Sequence, residues 1–257
     1  MQSKIKSTLI FILALSFSCK SVPEKTSINT VFSKSELTSA IIEFNERKAP
    51  SFSADVSLKI KLSGKSNSAS GKIYYSADTE KWRAVIRDPY FGTVVFHILI
   101  ENDIINAYST YDKILFLSDA KSPDLFSATY NPSSIFAIVS GRIPLIAQPA
   151  KFKETTAGLE YDDADFFQKI SFSDKKKVSD LIIENKKLAM NFVIRYDTFS
   201  ETDNYSYYKK IHAEETVSGD YFEFIYKNVT IEKSISDNIF DIKIPKGTKV
   251  INTTGKL

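Results

Sequence analysis

The sequence predicts a mainly β protein: an up-and-down antiparallel meander of about eleven strands with two or three helices. Two observations carry that expectation. Apolar and polar residues alternate with a period of two over long stretches. These stretches recur at roughly ten-residue spacing with short polar turns between them, a pattern foreign to βαβ folds.

The elements follow in chain order. Ser33-Lys-Ser-Glu36 has capping-box spacing, and Leu37, Ile41 and Phe44 follow at i, i+4 and i+7, which predicts an amphipathic helix over 34–47. After Pro50 the period becomes two. Phe52, Ala54, Val56, Leu58, Ile60 and Leu62 alternate with Ser53, Asp55, Ser57, Lys59, Lys61 and Ser63, as in a half-buried antiparallel strand. Gly64 to Gly71 is rich in Ser and Gly and reads as a turn. The alternation resumes at Ile73, Tyr75 and Ala77 and again at Trp82, Ala84 and Ile86. Val94 to Ile100 is apolar on both faces except at His97; Ile104 to Tyr108 and Ile114 to Leu117 are shorter strands. Asn131-Pro-Ser-Ser134 can cap a short helix, Ile135 to Ser140, that stops at Gly141, and Pro144 and Pro149 close that segment. Strands then return at Phe166, Ile170 and Phe172, at Leu181 to Ile183, and at Leu188, Met190, Phe192, Ile194 and Tyr196. A final pair covers Tyr205 to Ala213 and Tyr221 to Ile231. No linker divides residues 34–257, so a single domain is expected.

Composition excludes several classes of function. Only 8 Gly in 257 residues argues against glycine-rich phosphate loops. The chain has 34 basic and 31 acidic residues; without leader lysines Lys4 and Lys6 the balance is nearly neutral, and no nucleic-acid partner is implied. With 2 His and 1 Cys, neither a zinc cluster nor a disulfide scaffold is available. No His, Ser and carboxylate stand at triad spacing, so the chain is not expected to be an enzyme, nor to use a cofactor or metal.

The N-terminus reads as a lipoprotein signal peptide, residues 1–18. Lys4 and Lys6 precede an apolar run from Thr8 to Phe17, too short to span a bilayer as a helix. The run ends in Leu15-Ser-Phe-Ser-Cys19, which resembles a loose bacterial lipobox with bulky Phe17 inside it. That resemblance implies cleavage after Ser18 and acylation of Cys19, palmitate included, so that acyl chains hold the mature protein on a membrane. Plain secretion with a free thiol is the alternative. Residues 19–33 then form the lipidated N-terminus and a polar tether containing Pro23. Lys20, where sorting signals of enteric bacteria that retain lipoproteins carry Asp, implies the outer membrane of a diderm bacterium.

A curved sheet of this size must fill its inner face or leave a cavity. The helices offer few large apolar residues and the strands many. An apolar cavity is therefore expected along the strands, with Val56, Leu58, Ile60, Ile73, Trp82, Ile86, Phe96 and Ile98 as its lining.

The order of parts resembles the LolA/LolB family of lipoprotein carriers and receptors. The resemblance rests on the lipobox, the helix before the strand Ala54-Asp-Val-Ser-Leu-Lys-Ile60, and Lys81-Trp-Arg83 leading to Asp88-Pro-Tyr-Phe-Gly92. It also rests on Gly141-Arg-Ile-Pro144 after the mid-chain helix, and on Phe240-Asp-Ile-Lys-Ile-Pro-Lys-Gly-Thr-Lys-Val250 as the closing strand and turn. It implies an unclosed antiparallel half-barrel whose helices line or plug an apolar cavity. The function implied is that of an outer-membrane lipoprotein binding acyl chains of other lipoproteins and helping to localise them. It would act on the periplasmic face as a monomer, with a LolA-like periplasmic carrier as partner. In that resemblance Tyr90 and Phe91 match the apolar loop that helps release cargo into the membrane. An RseB-like lipid or envelope-stress sensor, or a surface binding module without transport, is the alternative.

Other polar features read more simply. His97 is expected to be a hydrogen-bonded core residue, and His212 exposed. Asp162, Asp163 and Asp165 form a solvated turn that lacks the glycine and glutamate of a calcium loop. Lys175 to Lys177 and Lys186-Lys187 are hairpin-edge charges, with attraction to membrane headgroups as the alternative. Tyr205, Tyr207 and Tyr208 are cross-strand packing residues.

Overall fold

The computed structural model describes residues 32–47, 49–102, 104–119, 143–156, 158–173, 175–202 and 205–252. The leader, Cys19, most of the tether and the helix expected at 135–140 lie outside the described residues.

One α-helix is present among them. α1 (Lys34–Glu46) begins at a capping box in which Ser33 and Glu36 bond reciprocally, as their spacing predicts. It buries Leu37 and Ile41. Fourteen strands follow: β1 (Phe52–Leu62), β2 (Lys65–Ser76), β3 (Lys81–Arg87), β4 (Val94–Glu101), β5 (Ile104–Ser109), β6 (Ile114–Asp119), β7 (Lys153–Thr155), β8 (Gly158–Asp162), β9 (Phe166–Phe172), β10 (Val178–Asn185), β11 (Met190–Thr202), β12 (Tyr205–Glu215), β13 (Asp220–Ile231) and β14 (Lys249–Asn252). They make one sheet in the order β14-β6-β5-β4-β3-β2-β1-β13-β12-β11-β10-β9-β8-β7. β1–β6 and β7–β13 are thus two antiparallel meanders joined where β1 pairs with β13. Strands β14 and β7 are the free edges, so the barrel is unclosed.

Among the described residues the strand count is 14 rather than about eleven, for identifiable reasons. Lys65–Gly71 is strand and not turn. The reversal is confined to Ser63 and Gly64, both at positive φ, after which β2 pairs with β1 over its full length. β7 and β8 are short. β14 pairs in parallel with β6, a long-range contact with no local signal. The tail also departs from its apparent alternation. Phe240 is buried in a 3₁₀ turn (Asp237–Phe240), and Arg83 takes the backbone carbonyls of Ile239 and Asp241, so this segment crosses β3 instead of extending the sheet. The strand follows the Pro245-Lys-Gly247 turn.

Register shows how the alternation becomes a surface. Phe52, Tyr75, Trp82, Ile100 and Ile105 face each other across five strands, as do Ala54, Ile73, Ala84, Ile98 and Ala107. A third row joins Ile60, Phe222, Ala213, Ile194, Leu181, Ile170 and Leu159 on the other side of β1. One face of the sheet is therefore continuously apolar. α1 packs on its β8–β12 part through Leu37 and Ile41, and a second cluster spans β1–β5 and β13.

Candidate functional site

The register places all eight expected lining residues on that apolar face. Val56, Gly71, Ile86 and Phe96 form one row; Ile73 and Ile98 share the next; Trp82 lies in the row beyond, and Leu58 and Ile60 continue along β1. Gly71 is required by close packing. A Cβ there would stand 2.7 Å from the Val85 carbonyl oxygen and 3.3 Å from Val56. Val56, Leu58, Ile73, Trp82 and Ile86 are buried and Ile60 and Ile98 half-buried, while Phe96 is 37% exposed. On β4 exposure thus rises from Ile100 toward the end that leads to the β3–β4 turn.

That turn, residues 88–93, carries Tyr90 and Phe91, each 86% exposed. Their display is built in. The Asp88 carboxylate accepts the backbone N–H of Tyr90 at 2.9 Å and of Phe91 at 2.8 Å. The Asp88 carbonyl accepts Gly92 N–H, Arg87 donates to the Gly92 carbonyl, and Gly92 takes a positive φ. Neither ring packs back on the sheet, so the turn holds two aromatic side chains in solvent with its own backbone satisfied.

A cleft of about 230 Å³ opens elsewhere, between the C-terminal half of α1 and the β9–β10 turn. Its apolar lining is Ile41, Phe44, Ile143, Phe172, Val178 and Tyr208, and Arg47, Lys175, Lys176, Lys177 and Glu43 also border it. None of the eight expected residues contributes. Lys176 pairs with Glu36 at 2.7 Å and lies over Phe32, and Lys177 lies 4.2 Å over Phe199. The Lys176 bond and the capping bonds hold the Glu36 carboxyl down at about 2. An apolar lining with cations around it suits an amphiphile with an anionic end.

No family model matches the sequence, and no curated protein is similar to it in sequence. Solved structures do match. A domain from Vibrio parahaemolyticus described as an outer membrane lipoprotein-sorting protein domain superimposes with a TM-score of 0.53 at 12% identity, covering 80% of this chain and 95% of that one. A LolA superfamily protein from Nitrosomonas europaea gives 0.49 at 11% identity, over 82% and 99% of the two chains. The chain shares the fold of that lipoprotein-sorting domain. At such identity the likeness is one of fold, and the resemblance read from the motif order is to that extent confirmed.

Within this fold the polar candidates fall away from the apolar face. His97 pairs with Val85 and Tyr108 in register, on the side opposite Ile86 and Ile98. Its Nδ1 is 3.3 Å from Arg83 Nη2, and burial, with Arg83 and Arg87 nearby, holds the imidazole below its ordinary value. His212 is half-buried rather than exposed; its ring stacks on Tyr221 beside Glu214 and Glu223. Asp163 caps the turn at 163–165, accepting from Tyr161 Oη and from Asp165 and Phe166 N–H. Lys186 and Lys187 pair with Asp162 and Asp165. Tyr205 and Tyr207 pack with Phe52 and Tyr226, whereas Tyr208 joins Phe44 and Phe199 beside the cleft.

Two residues that sequence reasoning passed over fix the chain beside the cleft. Asn45 donates Nδ2 to the Ile143 carbonyl at 2.9 Å and accepts Ile143 N–H at 2.8 Å. Buried Gln168 donates to the Pro144 carbonyl and accepts Ile146 N–H. Gln168 was visible as a polar residue at an inward position of Phe166-Phe-Gln-Lys-Ile170; Asn45 gave no signal.

Proposed function

We propose that this protein is a lipid-anchored outer-membrane lipoprotein, acylated at Cys19, that shelters acyl chains of other lipoproteins against its apolar sheet face and helps deliver them to the membrane. The observation that supports this reading is the convergence of Val56, Ile73, Ile86, Phe96 and Ile98 on one continuous apolar face of an unclosed sheet. An acyl chain needs area and plasticity rather than directional contacts, and its burial is worth roughly 25 cal/mol per Å². Branched aliphatic side chains in an open sheet supply both. Transfer then needs no catalytic group, only a cargo that prefers the bilayer to the face. The exposed rings of Tyr90 and Phe91 suit the headgroup zone, where aromatic side chains concentrate. A LolA-like carrier in the periplasm is the expected donor.

Depletion of the protein in its own host tests the reading. Acylated lipoproteins should accumulate in the periplasm; unchanged delivery to the outer membrane after complete depletion would refute it. Mass spectrometry of co-purified ligand should find acylated peptides, and free lipid alone would point to sensing instead of delivery.

A further inference from the structure

The two rims of the sheet differ in kind. The turns at 63–64, 88–93, 110–113, 163–165, 186–189 and 216–219 share one rim; the turn at 77–80, Asn102 and the described residues between β9 and β10 lie at the other. Among the described residues the turns of the second rim are polar: Ala77-Asp-Thr-Glu80, Asn102, and Ser173 with Lys175-Lys-Lys177. Of the nine exposed large hydrophobic residues among those described, five sit in turns of the first rim and none in a turn of the second. Beside Tyr90 and Phe91 these are Tyr111 (88% exposed), Val217 (78%) and Leu188 (48%). Single exposed hydrophobics are ordinary, but turns favour Gly, Asn, Asp and Ser, and four turns of one rim that all display apolar tips are not.

The tips share a second property. Asn185 Oδ1 accepts Leu188 N–H at 3.1 Å, and Glu215 Oε1 accepts Val217 N–H at 3.1 Å, as Asp88 does for Tyr90 and Phe91. In the Tyr111 turn Asp112 N–H donates to Ser109, and Thr110 Oγ1 ties the turn to the Val94 carbonyl. Tyr90, Phe91, Leu188 and Val217 thus each have their own N–H taken by a side chain at the foot of the turn, and the Tyr111 turn is held through its neighbours Thr110 and Asp112. A braced turn can enter a region poor in water without stranding a donor.

We propose that this rim as a whole is a docking surface for a lipid bilayer, with Tyr111, Leu188 and Val217 seated in the interface alongside Tyr90 and Phe91. Exposed Lys113 and Lys249, joined through the Lys249 N–H to Lys113 carbonyl bond, stand beside Tyr111 and favour anionic headgroups. The consequence is an orientation. Several contacts fix how the sheet meets the membrane, which one loop could not, and the half-exposed Phe96 end of the apolar face opens toward the bilayer. The inference rests on the membrane role of the Tyr90–Phe91 loop but not on the identity of the cargo.

Tryptophan quenching tests it. Tyr111→Trp, Leu188→Trp, Val217→Trp, Tyr90→Trp and, on the opposite rim, Thr79→Trp are each placed in the full chain. The chain is bound to vesicles of phosphatidylethanolamine and phosphatidylglycerol with brominated acyl chains, and the parent protein serves as blank for buried Trp82. Quenching by about half is expected at 111, 188 and 217, with none at 79. Quenching at 90 alone would overturn the rim and leave the single-loop reading standing. Quenching at none of the sites, or equal quenching at 79, would overturn both.

Discussion

Two aromatic clusters at opposite ends of the sheet show how differently the same residue type can be used. At one rim Tyr90 and Phe91 stand in solvent on a turn that Asp88 has closed beneath them. At the other, Phe44 of α1 lies 5.4 Å from the ring of Tyr208 and 6.5 Å from that of Phe199, and Lys177 covers Phe199. The first cluster contributes nothing to holding the fold together; the second ties the helix to β11 and β12. Aromatic content alone says nothing about function. What separates the clusters is which of them the backbone has been arranged to expose.

The comparison can be broken at several points. The largest effect is expected from Phe91→Glu. Cargo binding and fold should persist, while delivery to vesicles falls at least about tenfold, because a buried Phe is worth about 1.5–3 kcal/mol and a charge reverses it. Equal loss of binding and stability would make Phe91 a packing residue. Next, Phe44→Ala should lower unfolding stability by about 2 kcal/mol, below the range for fully buried Phe because Phe44 is half-exposed, whereas Phe91→Ala should change it by less than about 0.5 kcal/mol. Urea denaturation reads both, and similar values would remove the distinction.

Acid sharpens the same contrast. Glu215 is buried; although burial raises its carboxyl, bonds from the N–H groups of Ser218, Val217 and Asn191 outweigh that and set it below the ordinary range. A lowered carboxyl contributes stability that is complete above the unfolded value of about 4.3 and is lost as pH falls through the folded one. Glu215→Gln should therefore cost about 1 kcal/mol at neutral pH and flatten the acid limb of a stability profile. An unchanged limb would mean that the Val217 turn is not held by this carboxylate. The smallest effect belongs to Lys176→Met, which removes an exposed pair with Glu36 and should move stability by less than about 0.5 kcal/mol.

Much of this was legible in the sequence, because β1 writes its burial in its alternation. Ala54, Val56, Leu58 and Ile60 declare one face, and the neighbouring strands follow by register. Composition misled where pairing decides. Lys65–Gly71 has no apolar period and is strand only because β1 lies beside it. Phe240, Ile242 and Ile244 have the period but no ladder, since Arg83 claims the nearby carbonyls. The β14–β6 pairing and the Asn45 and Gln168 bonds join residues far apart in sequence, where local patterns carry no information. The exposure of Tyr90 and Phe91 was suggested by the turn motif. The gathering of Tyr111, Leu188 and Val217 on the same rim required the strand order. Leu188 in particular read as a strand residue and stands instead at the tip of the 186–189 turn.

The central claim is that the apolar face receives an acyl chain. Photo-crosslinking with a palmitoyl-peptide that carries a diazirine in its chain, added to the full-length protein, tests it most directly. Adducts on Val56, Ile86, Phe96 and Ile98 are expected. Adducts confined to outward-facing residues such as Lys72 or His97, or none above the level of a chain-free peptide probe, would contradict it.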